Sequence, residues 1–251
     1  MSASTTVRPS SRAAVLDRGT AMQLAATEYG RFEELLRTLG PDDWARSTDC
    51  PGWDVRALAG HVLGMEQMVA TVPTFLAQNA GAAKAGGGID ALTALQVRKA
   101  ARFSAAELVE RFAALAPRAV RGRRRLARFL GRVTIPEDQV VGDQPERWVF
   151  GFLFDVILTR DTWMHRIDIS RAVGREVYLT PEHDGVLVAD VVAEWAARHG
   201  RPYRLRLTGS AGGEWAAGTG GDELELDALD FCRQLSGRGA GTGLLSQQVP
   251  F

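Results

Sequence analysis

The sequence predicts a mainly α protein: a four-helix bundle followed by a small C-terminal α+β part. Two observations carry this expectation. Four long stretches place apolar residues at helical spacing before Gly174, enough amphipathic helix to enclose a bundle core. Beyond residue 174 the pattern changes to one shorter helix, strand-like alternation and a closing helix.

The first helix is expected over about 13–39, with Val15, Met22, Leu24, Phe32, Leu35, Leu36 and Leu39 in phase and Gly40-Pro41 as the stop. The turn-rich "PDDWARSTDCPGWD" follows, holding two tryptophans. Asp54 can cap a second helix, "DVRALAGHVLGMEQMVATVPTFLAQ", with a late kink at Pro73. "NAGAAKAGGG" reads as a flexible connector. After "IDALTALQVRKAARF", Ser104 and Glu107 form a capping-box signature that opens a third long helix, to about Leu130. "GRVTIPEDQVVGDQPER" reads as loop, and "WVFGFLFDVILTRDTWMHRIDISRAV" as the fourth helix.

In the remainder, Thr180, Pro181 and Gly200 frame a helix over "TPEHDGVLVADVVAEWAARHG". "YRLRLTG" alternates as a strand, "GEWAAGTGGDELELD" reads as a hairpin with a glycine turn, and "ALDFCRQLSGR" as a final helix. The expected organisation is a disordered leader over 1–12, the bundle over 13–176 and the α+β part over 177–251. The leader lacks the apolar stretch of a signal peptide.

Thirty basic residues balance thirty acidic ones, which argues against a nucleic-acid or membrane-surface protein. The run 118–132 contains seven arginines, but aromatic interleaving is poor, so a solvated helix face or an entrance-lining segment is the expectation. Only Lys84 and Lys99 are lysines, a skew that GC-rich coding produces. Cys50 and Cys232 show no disulfide or thiolate-zinc pattern. With no apolar run of membrane-spanning length, the expected setting is a reducing cytoplasm.

The chemistry concentrates in "DTWMHRID". At about 100° per residue, Asp161, His165 and Asp168 share a narrow strip of a helix otherwise built for a core. Of the four histidines, His183 and His199 sit at the ends of one helix and require no function. His61 and His165 lie inside apolar helices, and glycines on both sides of His61 would let a neighbouring helix approach. Residues at i and i+4 stack and can grip one ion, so Asp161 and His165 could do so with His61 as third ligand. Two imidazoles and a carboxylate suit zinc with a fourth position open; the same set could serve iron(II), nickel or another divalent ion. Asp168 competes for the third place, its alternative role being to orient an imidazole or hold an arginine. The competing reading is plain Asp–Arg ion pairing with the flanking Arg160 and Arg166.

The stretches "DDWARSTDCPGWDVRALAGHVLGME", "TRDTWMHRIDISRAVGR" and "FCRQLSGRGAGTGLLSQQVPF" resemble the mycothiol-dependent maleylpyruvate isomerase family, within the broader DinB-like metal-binding four-helix bundles. The resemblance implies a DinB-like bundle and a sterol-carrier-like C-terminal domain, with zinc held by His61, Asp161 and His165. It departs at Asp161, where the characterised isomerase carries Glu. It also implies mycothiol as a thiol cosubstrate, a small electrophilic, carboxylated substrate, and cis–trans isomerisation or S-transfer. Arg238 in "LSGR" is the match for the family's arginine that holds substrate or thiol; its alternative role is capping helix-end carbonyls. Arg166 would be a second carboxylate-binding cation, while Trp53 and Trp163 would pack near the cavity. The expected partners are small molecules, with no nucleic acid or membrane, and either a monomer or a homodimer. A metal-stabilised binding or stress-response protein without turnover is the alternative.

Overall fold

Asp17 starts the first helix: its carboxylate accepts from the amides of Gly19 and Thr20 and caps α1 (Arg18–Thr38). The computed structural model describes residues 12–251, so the expected leader lies outside the described residues apart from Arg12, which bridges to Trp148. After a 3-10 turn (Pro41–Ala45), Asp54 caps α2 (Val55–Ala70). Pro73 does not kink α2. The chain breaks before it, and Thr71 caps a new helix, α3 (Val72–Lys84), with the proline in its first turn, where no amide donor is needed. Most of the expected connector is therefore helical; only residues 85–87 separate α3 from α4 (Gly88–Ala100). Ser104 and Glu107 form the capping box of α5 (Ala105–Leu130).

The expected loop that follows contains a small hairpin, β1 (Gln139–Val141) with β2 (Gln144–Glu146). The fourth bundle helix begins as α6 (Phe150–Phe152), widens through a π turn (Leu153–Ile157) and continues as α7 (Leu158–Ala172). Such a turn inserts an extra residue and re-aims the side chains that follow.

Helices α1, α2, α5 and α7 form the bundle, with α3 and α4 flanking α2. Gly64 determines how closely α4 approaches: a Cβ there would lie 2.5 Å from the side chain of Gln96.

Beyond Gly174 a π turn (Pro181–Gly185) leads into α8 (Val186–His199), then β3 (Tyr203–Thr208), β4 (Gly213–Ala217), β5 (Asp222–Asp227) and α9 (Ala228–Leu235). The strand order is β4-β3-β5, with β4 antiparallel and β5 parallel to β3. The expected β4–β5 hairpin is thus not formed. The glycine-rich link instead crosses the start of β3 to the opposite edge; a Cβ on Gly221 would lie 2.0 Å from the Pro202 carbonyl oxygen. Tyr203, Leu205 and Leu207 face inward while Arg204 and Arg206 face water, as the alternation predicts.

The molecule is mainly α with a small α+β part, and α7 joins the two. Its Leu158 and Ile169 belong to the bundle core, whereas Trp163, Met164 and Ile167 pack with α8, α9 and β3. No described helix is long and apolar enough to cross a membrane.

A candidate metal centre between α2 and α7

Because α7 is covered on nearly every side, each of its polar residues needs a partner, and the partners separate their roles. Arg160 turns to the α+β part, pairing with Asp190 and Glu194 at 2.6 Å each. Arg166 pairs with Glu28 at 2.6 Å and Asp184 at 2.8 Å, and Glu28 also meets His183 at 2.7 Å. Neither arginine touches Asp161, so the flanking-ion-pair reading does not describe this carboxylate. Arg166, expected to bind cofactor or substrate carboxylates, is not brought to the cluster; its guanidinium is committed to two buried acids.

Asp161 faces two imidazoles. Its Oδ1 lies 3.4 Å from His61 Nε2 and 3.3 Å from His165 Nε2. Its buried Oδ2, 3.4 Å from His61 Nε2, has no hydrogen-bond partner. One ligand atom from each of the three residues lies within 4.8 Å of the others.

The far side of each ring is anchored. His61 Nδ1 lies 3.0 Å from Gln96 Oε1. The amide nitrogen of Gln96 donates to Gln78 Oε1 at 2.9 Å, and Gln78 donates to the Gly64 carbonyl. This chain fixes the Gln96 oxygen as acceptor, so His61 Nδ1 is a donor and its Nε2 is turned toward Asp161. His165 Nδ1 donates to Asp168 Oδ2 at 3.1 Å, which leaves its Nε2 facing Asp161 in the same way. Trp53 packs beside both rings, with centroids 5.3 and 6.3 Å away.

Asp168 therefore sits behind His165 rather than beside Asp161. It is held by Arg238 (2.8 Å to Oδ1, 2.7 Å to Oδ2) and by Arg233 at 3.4 Å. Arg238 is brought to the site, and its Nη2 also lies 3.4 Å from Cys50 Sγ. Trp163 donates to Asp184 in the core shared with α8 and α9, and its ring stacks on Phe251, a cavity-lining residue, at 6.4 Å.

Burial opposes charge on Asp161, but the two imidazoles outweigh it and hold the carboxyl far below the usual range. Burial likewise opposes protonation of His165; Asp161 outweighs it and raises the imidazole pKa well above its usual value. The donors fit a divalent cation: two ring nitrogens with anchored reverse faces and one carboxylate with an unpartnered oxygen. Two other clusters bring metal-ligand types together. In Glu28/His183/Asp184 the compensating cations are Arg166 and Arg31. In Cys50/His165/Asp168 they are Arg233 and Arg238.

His61 and Asp161 open onto a cavity of about 560 Å³, also lined by Trp148, Arg238 and residues Val249–Phe251. The arginine run 118–132 lines neither this cavity nor the cluster, and Arg123 departs from the expected solvated face. It is fully buried and donates to Phe154 O, Thr159 Oγ1 and Tyr29 Oη.

Fold and site together define a helical-bundle protein with a His/Asp/His cluster held between two of its helices. The model of the mycothiol maleylpyruvate isomerase N-terminal domain matches residues 25–170, more than half of the chain, and the protein belongs to that family. Among solved structures, the mycothiol-dependent maleylpyruvate isomerase is similar at 14% identity and a TM-score of 0.55, covering 90% of this chain and 91% of that one. A histidine-to-alanine mutant of that isomerase is similar at 13% identity and a TM-score of 0.54, with the same coverage. At such identities the likeness concerns the fold. No curated protein matches the chain.

Four residues of this neighbourhood escape sequence reading: Gln96, Gln78, Arg233 and Cys50. The glycines around His61 signal that a helix comes close, but not which side chain it carries.

Proposed function

We propose that the protein is a cytoplasmic isomerase or S-transferase that uses a zinc-type divalent ion on His61, Asp161 and His165 and a low-molecular-weight thiol, mycothiol. The observation that carries this reading is the convergence of both Nε2 atoms on Asp161 while each Nδ1 is tied from behind. A divalent ion held there would favour the thiolate form of a bound thiol, the nucleophilic form.

The protein's own residues bind and orient. Gln96 and Asp168 fix the ring tautomers, Arg238 holds Asp168 in place, and Trp53 supports both rings. Trp148 and the 249–251 segment wall the cavity in which an electrophile meets the thiol. Addition of the thiolate to an activated double bond forms a C–S bond and leaves a single bond free to rotate. Expulsion of the same thiolate gives the isomer; uptake of a proton at carbon instead gives the thioether. Family membership supports thiol dependence.

Elemental analysis of the purified protein, followed by calorimetric titration with mycothiol, tests the reading. The expected result is about one divalent ion per chain and thiol binding that disappears in His61→Ala. A bound ion with no thiol binding would instead favour a metal-stabilised protein without turnover.

A further inference from the structure

We infer that the electrophile taken by this site has a neutral, apolar body, an alkyl- or aryl-substituted α,β-unsaturated carbonyl compound, lodged in a second cavity beside the cluster. The inference rests on the reading above of the cluster as a thiol-activating centre.

The second cavity, of about 430 Å³, lies between α3, α4 and the 135–153 segment. It shares Met65, Gly88, Ile89, Gln139 and Leu153 with the cavity onto which His61 and Asp161 open, so the two adjoin, and the inference places one molecule across both. Its inner wall is apolar, with Met68, Phe75, Leu92 and Phe150. Its size and lining are those of small-molecule sites.

The rim is apolar too. Leu76 and Ile89 are 60% and 49% exposed at the second cavity, and Val140 is 72% exposed at the first. Exposed large apolar residues gathered around a cavity favour an apolar occupant over a charged one.

Charge points the same way. The acidic side chains on the two cavities are Asp90, Asp138, Asp161 and Glu137, against one basic residue, Arg238, among the described residues. Arg238 is engaged by Asp168 through hydrogen bonds to both carboxylate oxygens, and Arg166 is committed to Glu28 and Asp184. In the second cavity a dicarboxylate would lose its hydration against apolar walls and beside Glu137, with no basic side chain in the lining to receive it. A neutral carbonyl compound carries no such penalty, and its tail removes apolar surface from water.

The test is binding of 2-alkanones, from butanone to decan-2-one, to metal-free and metal-loaded protein by calorimetry, with maleate as the dianionic comparison. Affinity is expected to rise about three- to fourfold per methylene, with maleate weaker than the long ketones. Ala83→Phe, placed on the wall of the second cavity and absent from the lining of the first, should flatten the series. A flat series, maleate binding tighter than decan-2-one, or an unchanged slope in Ala83→Phe would overturn the inference. Turnover of 2-alkenals with mycothiol separates the two claims. Chain-length-dependent binding without turnover sinks the thiol-activating centre, and turnover with flat binding sinks the apolar subsite.

Discussion

His61 and His165 meet edge to face, their ring centroids 5.4 Å apart and their planes at 88°, and both direct Nε2 at the same Asp161 carboxylate. Two imidazoles from helices distant in sequence share one acceptor because each is tied from behind, His61 by Gln96 of α4 and His165 by Asp168 one turn along α7.

If the ties position the rings, loosening one should weaken an ion without removing a ligand. Gln96→Ala is expected to lower zinc affinity by about 10–100-fold, whereas His61→Ala abolishes stoichiometric binding. Competition with a chromophoric chelator measures both. Equal affinity in Gln96→Ala and the native protein would show that the amide chain is packing alone.

Asp161 should be required for its charge and tolerant in length. Asp161→Asn keeps the shape but gives up the anionic ligand, and zinc should be lost. Asp161→Glu keeps the charge and reaches one methylene further into the cavity, and should retain an ion. Metal content of the two variants after dialysis separates these expectations. Retention by Asp161→Asn equal to the native protein would contradict the ligand role.

Arg166 is expected to act on stability and leave metal binding alone. Arg166→Met leaves Glu28 to His183 and Asp184 to Arg31 and Trp163, at a cost of up to about 3–5 kcal/mol for a broken buried pair. Chemical denaturation should show that loss, while zinc affinity measured on the folded fraction stays within a factor of a few. A large affinity change at unchanged stability would restore the site role suggested by its place in "MHRID".

How much of this was legible follows from what short-range pattern encodes. The bundle helices were readable because caps such as Asp54 and the Ser104/Glu107 box are local, and apolar phase is local. Asp161 and His165 were readable as a pair because four residues is one helical turn. The failures involve distant chain. That β5 pairs with β3 rather than β4 depends on a crossing past Pro202, which no alternation within 213–227 records. Arg166 and Asp168 sit on the same helix with equal claims; the acids of α1 and the 181–185 turn decide one, and the arginines of and beyond α9 decide the other.

Glu66 offers a test on a group away from the cluster. It is fully buried on α2, and neither carboxyl oxygen has a hydrogen-bond partner. Burial pushes its pKa well above the usual glutamate range, with Arg123 offsetting only part of the rise. The folded protein therefore holds this proton more tightly than the unfolded chain, whose glutamate titrates near ~4.3. The stabilising contribution is fully present below that value and is lost as pH climbs through the raised folded pKa, at up to about 1.4 kcal/mol per pH unit. Glu66→Gln removes the titration while keeping the shape. Its stability relative to the native protein should improve steadily with rising pH across that window and show no relative change below pH 4. Urea unfolding at a series of pH values reads the difference; parallel stability curves would mean that Glu66 is solvated in solution and carries its charge without penalty.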